Sequence, residues 1–242
     1  MTESSATNKP RKKESLLLNL GCNILIPTLI LTKFSSDEFL GVKQGLVIAL
    51  LFPLLYGLKD FITNRQLNLF SVLGFVSVLL TGGISLMELN PFYIAVKEAA
   101  IPAIFGLATV LSLYSPYPLV RTFIYNDKIL DTKRVDDALV EHHSRKDFEA
   151  LLVKASWFLA SSFFLSSLLN YGLATYLLTG YQTGTAAFNE QLGKMTALSF
   201  PVIALPATII MMASMIYLFR GIKKLTGLNL EELLHHHGEK PT

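Results

Sequence analysis

Residues 197–219 read ALSFPVIALPATIIMMASMIYLF, 23 positions without an Asp, Glu, Lys, Arg or His. A helix rises about 1.5 Å per residue, so such a stretch reaches about 34 Å, more than the roughly 30 Å hydrocarbon core of a bilayer. It is too long and too uniformly apolar for a core helix of a soluble fold. In lipid no water is available to satisfy an exposed backbone, so the segment has to be helical.

Five more segments of comparable character precede it. They run from Ser15 to about Phe34, Glu38 to Leu58, Leu67 to Met87, Pro91 to Tyr114 and Leu151 to Leu178. The chain as a whole agrees: 51% of its 242 residues are apolar and only 16% are charged, where a soluble domain carries about 25% charge. Its mean hydropathy is +0.45. The expectation is an all-α, polytopic membrane protein with about six transmembrane helices between residues 15 and 219. Residues 1–14 form a polar tail expected to be disordered, residues 115–150 a long loop, and residues 220–242 a second tail.

Lys and Arg set the orientation, because loops on the cytoplasmic side carry an excess of both. Lys9, Arg11, Lys12 and Lys13 precede the first span, and Lys59 and Arg65 follow the second. Arg121, Lys128, Lys133, Arg134, Arg145, Lys146 and Lys154 fall between the fourth and fifth, and Arg220, Lys223, Lys224 and Lys240 follow the sixth. Opposite them stand only Lys33, Lys43 and Lys194, with Lys97 just inside a span. Six spans bring every basic cluster to one face, with both termini in the cytoplasm (N-in/C-in); five or seven would strand a cluster outside.

The basic start resembles the n-region of a signal peptide, but no small-x-small cleavage site follows the apolar run, which ends in Leu31-Thr32-Lys33-Phe34. An uncleaved first span is expected. Cys22, the single cysteine, allows no intrachain disulfide, and the chain stays apolar after it where a mature lipoprotein turns polar. The net charge of +3 calls for no nucleic-acid partner: basic loops beside anionic lipid headgroups account for it. The charged stretch Asn126 to Ala150 also holds Val135, Leu139 and Phe148, a pattern suited to a helix lying on the cytoplasmic membrane face. Leu228 to Leu234 reads as a short amphipathic piece.

Ionisable groups inside a span are costly and mark candidate functional sites. Lys97-Glu98 is the clearest case, about 9 Å into the fourth span counting from Pro91. The structural alternative is a Lys97 that snorkels to the outer surface while Glu98 pairs with it or with Lys43. A mutual pair would be strained, since neighbouring residues on a helix point about 100° apart. Asn19 and Asn23 share one face of the first span, and Asn170 lies near the middle of the fifth. Asparagines in membrane helices commonly join one helix to another, and the alternative is that these line a hydrophilic cavity. The fifth span also carries the small residues Ser161, Ser162, Ser166, Ser167 and Gly172, suited to close helix contact.

Pro27, Pro53, Pro102, Pro201 and Pro206 sit inside spans, where each removes a backbone donor. Broken helices at matched places characterise transporters with inverted repeats, and the slight matches here are Ile26-Pro27 with Ile101-Pro102 and Tyr56-Gly57-Leu58 with Tyr171-Gly172-Leu173. No H-E-x-x-H, G-x-S-x-G, P-loop or C-x-x-C occurs, and His142-His143 and His235-His236-His237 read as solvated. No cofactor or metal is expected.

Between Thr81 and Phe123 the chain carries Gly82-Gly83-Ile84-Ser85-Leu86, Phe92, Lys97 and, after an apolar span, Pro118-Leu119-Val120-Arg121. With Trp157 and Asn170-Tyr171 further on, this arrangement resembles the bacterial septation protein A family, also called inner membrane-spanning protein YciB. A closer likeness is to bacterial six-span inner-membrane proteins of about this length that carry the same glycine pair and Lys97 segment. The longer loop and basic tail depart from the septation pattern. The resemblance implies an inner-membrane protein tied to envelope upkeep or division, and it supplies no catalytic residue.

Three functions follow as expectations. One is a non-enzymatic envelope protein whose cytoplasmic loops meet protein partners or a second copy. Another is a small secondary transporter in which Lys97, Glu98, Asn19, Asn23 and Asn170 face one polar cavity. The last is a lipid-modifying membrane enzyme using Glu98 and Lys97 as acid and base.

Overall fold

A computed structural model describes residues 20–64, 69–115, 119, 121, 125 and 130–229. Asn19, the tail 1–14 and the histidines at 235–237 lie outside the described residues. Among the described residues every element is a helix: α1 (Gly21–Phe34), α2 (Val42–Asn64), α3 (Leu69–Leu86), α4 (Phe92–Ser112), α5 (Thr132–Glu141), α6 (Arg145–Leu178), α7 (Ala186–Ser199) and α8 (Leu205–Thr226).

Four stretches are long and apolar enough to cross a membrane: Val42–Lys59, Phe92–Ser112, Arg145–Leu178 and the continuous helical run Ala186–Thr226. The apolar parts of α1 and α3, Gly21–Phe34 and Val72–Leu86, are shorter. Large apolar side chains stay outside: Leu25, Leu55, Ile62, Ile104, Leu107 and Ile209 are each more than half exposed. In water such a surface would drive association; in a bilayer it is the solvent-facing side. The chain is an all-helical membrane protein.

Helix boundaries differ from the hydropathy reading where backbone chemistry intervenes. The second span was expected from Glu38, but α2 begins at Val42, because Gly41 takes a left-handed φ of +79° and its N–H donates to Ser36 O at 2.9 Å. That conformation ends one helix and re-aims the chain for the next, and it suits a residue without a Cβ. The fifth span was expected from Leu151, yet α6 starts at Arg145, so about a turn and a half of charged helix precedes its apolar run. Residues 186–196, read as loop, are helical as well.

Of the five span prolines, Pro201 lies inside the π stretch Phe200–Ala204 and the other four divide into two kinds. Ile26 N–H and Leu205 N–H each donate to the carbonyl five residues back, on Gly21 and Phe200, closing a π turn one residue before Pro27 and Pro206. A proline ring collides with the carbonyl four residues earlier, and a widened turn just ahead of it relieves that collision. Pro53 and Pro102 lie instead within uninterrupted α-helix. The expected match of Ile26-Pro27 with Ile101-Pro102 is therefore not repeated in local geometry; Leu205-Pro206 is the counterpart that shares it.

The chain divides into two compact units, one of residues up to Glu88 with Gln182–Ala197, the other of Leu89–Tyr181 with the chain from Leu198 onward. In the first unit α1, α2 and α3 are joined by α7. Phe188, Leu192 and Met195 of α7 are buried at helical spacing, and Thr28 Oγ1 of α1 donates to Gly193 O at 3.4 Å.

In the second unit α4 and α6 run antiparallel. Ser167 Oγ donates to Ala99 O at 2.8 Å, and further along Phe105 stacks on Phe163 with ring centroids 5.6 Å apart. Ser214 Oγ of α8 donates to Ala155 O of α6 at 3.1 Å. At the charged end of these helices, α5 is capped by Asp131, whose carboxylate accepts from Arg134 N–H at 3.0 Å. The apolar residues expected to face lipid, Val135 and Leu139 of α5 and Phe148 of α6, do not. Val135, Leu139 and Phe148 are buried with Tyr125, Leu130, Leu151, Leu152, Leu218 and Ile222 in one cluster, so protein covers this amphipathic face.

Candidate functional site

Lys97 is held on the buried face of α4 beside Ile94 and Ala95. Its ammonium sits 2.7 Å from Glu98 Oε1, and the two side chains are 7% and 26% exposed. The pairing of Glu98 with Lys97 that the structural alternative allowed is present, and the lysine lies buried within the unit instead of at its surface. The pair between neighbours, unfavourable for two rigid side chains, forms because the four-carbon lysine stem can fold across the helix surface, and a buried ammonium without a carboxylate would cost several kcal/mol. Lys43, the other expected partner of Glu98, pairs with Glu88 at 3.2 Å, both groups being well exposed. An exposed pair of that kind contributes about 0–1 kcal/mol.

Asn170 lies three residues beyond Ser167 on α6, and the antiparallel register that sets Ser167 against Ala99 brings it to about the height of Lys97. Its amide nitrogen, however, donates to Ser166 O of its own helix at 2.8 Å, with Ser166 Oγ at 3.4 Å. Asn23 lies in the first π turn of α1, half-buried, in the other unit. Of the five residues expected to gather, Lys97 and Glu98 are bonded to each other, Asn170 is level with them but bonded to its own helix, Asn23 belongs to the first unit, and Asn19 is outside the described residues. Among the described residues no three His, Cys, Asp or Glu side chains gather as a metal site would require.

Two features escaped the sequence reading. In the first unit Asn189 of α7 is 1% exposed; its amide nitrogen donates to Ser35 Oγ and, at 2.8 Å, to Val42 O. A carbonyl only accepts, so the nitrogen must face Val42, and this leaves Asn189 Oδ1 buried with no partner among the described residues. The signal was present in the spacing of Phe188, Leu192 and Met195, which marks residues 186–196 as amphipathic helix.

The second feature is a polar cavity of about 510 Å³ at the charged end of the second unit, walled by Arg121, Arg145, Asp136, Glu149, Thr132 and Tyr125 among others. Arg121 binds Glu149 at 2.6 Å, while the Tyr125 hydroxyl lies 3.0 Å from Asp136 Oδ1 and 3.2 Å from Thr132 O. Two arginines against two carboxylates leave this cavity nearly balanced in charge. A second opening, of about 840 Å³, lies between α6 and α8 and is lined by Lys154, Arg220 and Lys224 above apolar walls. Neither space includes Lys97, Glu98 or Asn170.

Comparison with protein-family models, with curated proteins and with solved structures returns no match for this chain.

Proposed function

We propose that the chain is a non-enzymatic protein of the bacterial inner membrane that spans it six times with both ends in the cytoplasm. It serves envelope upkeep or septation through the module at the charged ends of α6 and α8. The observation that carries this reading is the buried cluster around Val135, Leu139, Phe148, Leu218 and Ile222. It ties α5 to the two membrane helices as a rigid platform, where an amphipathic helix on lipid would float. The orientation rests on the basic residues at that end, Arg145, Lys146, Lys154, Arg220, Lys223 and Lys224, and on the basic first tail. Counting α1 and α3 as spans rests on their apolar sequence; α3 alone covers about 27 Å, close to a thin bilayer. The likeness to septation protein A around Gly82-Gly83 and Lys97 supports the cellular role.

Single cysteines on a Cys22→Ser background test the topology. A cysteine at Lys133 should label only after the inner membrane is opened, and one at Gln182 in intact cells; the reverse pattern ends the N-in/C-in reading. A photo-crosslinker at Val140, an exposed position of α5, tests the role. Capture of envelope or division proteins is expected, and capture of chaperones alone overturns it.

A transporter is the second reading, favoured by the buried Lys97–Glu98 pair within a span. It requires that Lys97→Leu and Glu98→Gln each abolish a flux in reconstituted vesicles while the protein stays folded.

A further inference from the structure

The opening between α6 and α8 lies where two uncharged stretches end. Lys154 is the last charged residue of α6, with none from Ala155 to Leu178, and Arg220 is the first charged residue of α8. On α6 the groove is lined by Asp147, Ala150, Leu151 and Lys154, and on α8 by residues at helical spacing from Ala213 to Leu225. Within that second row Ala213, Ile216 and Tyr217 stand on the uncharged side, and Arg220 and Lys224 on the charged side. A single wall pair therefore changes from apolar to cationic over about two helical turns.

Three cations stand against one carboxylate, Asp147, and none of the four is engaged in an ion pair among the described residues. Contrast the neighbouring polar cavity, where arginine and carboxylate are already joined. The floor of the groove is formed by Leu151, whose methyl groups occupy the space in front of Gly221; a Cβ there would collide with them, so the glycine lets α6 and α8 approach closely beneath the cations. Tyr217, half-buried and paired with Phe158 at 5.3 Å, presents an aromatic ring at the depth where rings favour the membrane interface.

We infer that this groove is a binding site for one anionic phospholipid, its phosphate-bearing headgroup held by Lys154, Arg220 and Lys224 and an acyl chain laid along Ala213, Ile216 and Tyr217. A free phosphate would use the cations but leave the apolar wall uncovered, and a zwitterionic lipid would cover the wall but bring a second positive charge to the cations. The inference goes beyond the envelope reading and rests only on α6 and α8 lying in a bilayer.

Trp157, the chain's single tryptophan, is exposed and lies three residues beyond Lys154, at the edge of the same helix stripe. It reports on lipid at that depth. The full chain in nanodiscs carrying brominated phosphatidylglycerol should show stronger Trp157 quenching than in nanodiscs with brominated phosphatidylcholine at equal mole fraction. Each cation removed should lower the selectivity about fivefold, so Lys154→Gln/Arg220→Gln/Lys224→Gln should abolish it. Lys133→Gln/Arg134→Gln/Lys146→Gln, which removes the same charge outside the groove, should retain it; circular dichroism melts establish that both triple variants are folded. Equal quenching by both lipids in the wild type, or loss of selectivity in both triple variants alike, overturns the groove. Absence of quenching by either lipid overturns it together with the membrane placement of α6, whereas a reversed cysteine-labelling pattern overturns the orientation and leaves the groove intact.

Discussion

Lys97 and Asn189 are both polar side chains kept from solvent, and they are kept there in opposite ways. Lys97 is satisfied by its own sequence neighbour, Glu98, at 2.7 Å. The Asn189 amide nitrogen donates to Ser35 and Val42, about 150 residues earlier in the chain. The first is visible in sequence as a charge inside an apolar run, because its burial penalty is high wherever the helix lies. The second is an unremarked amide in what hydropathy reads as a loop. The lysine's carboxylate partner stands beside it on one helix, whereas the asparagine holds α7 to the α1–α2 turn.

The largest expected effect separates charge from packing in the first of these. Glu98→Gln leaves the more deeply buried partner, the ammonium, without its carboxylate and should cost about 3 kcal/mol. Lys97→Met should cost less, since Glu98 is 26% exposed and reaches water. The double variant Lys97→Met/Glu98→Gln should return to within about 1 kcal/mol of wild type, because an apolar pair of similar volume replaces a buried ion pair with little loss. Denaturation in detergent micelles measures all three, and a double variant as unstable as Glu98→Gln alone would show that the pair is needed for more than mutual neutralisation.

Asn189→Ala comes next. It removes a donor from a half-buried carbonyl and a buried hydroxyl and should cost about 2 kcal/mol, with Ser35→Ala costing about half of that since Val42 keeps its partner. Equal costs would place the stabilisation on Ser35 instead, and the same denaturation assay decides. Asn170→Ala should have the smallest effect, about 0.6 kcal/mol or less, because its amide serves only its own helix, whose backbone is already hydrogen-bonded. A cost near that of Asn189→Ala would show that Asn170 binds across to α4 in the membrane and would restore it to a polar site with Lys97.

How much was legible in sequence follows the same division. Residues 197–219 announce a membrane helix by composition alone, and Lys97-Glu98 announces a buried charge by position alone. Val135, Leu139 and Phe148 were legible as an amphipathic face, but what covers that face was not: protein does, through Leu151, Leu218 and Ile222. Asn189 was missed because its apolar neighbours Phe188, Leu192 and Met195 lie in a stretch too short and too polar to count as a span.

By itself, then, the sequence determined that this chain is helical and lives in a bilayer, and where its cations concentrate. Those properties are sums along the chain, since hydropathy and helix length are set residue by residue. Only the tertiary structure decided that Asn189 holds the α1–α2 turn and that Lys154 meets Arg220 and Lys224 across one groove. These depend on which helices lie side by side. Residues 66 or more positions apart become neighbours through packing of apolar faces, and packing leaves no local trace in composition.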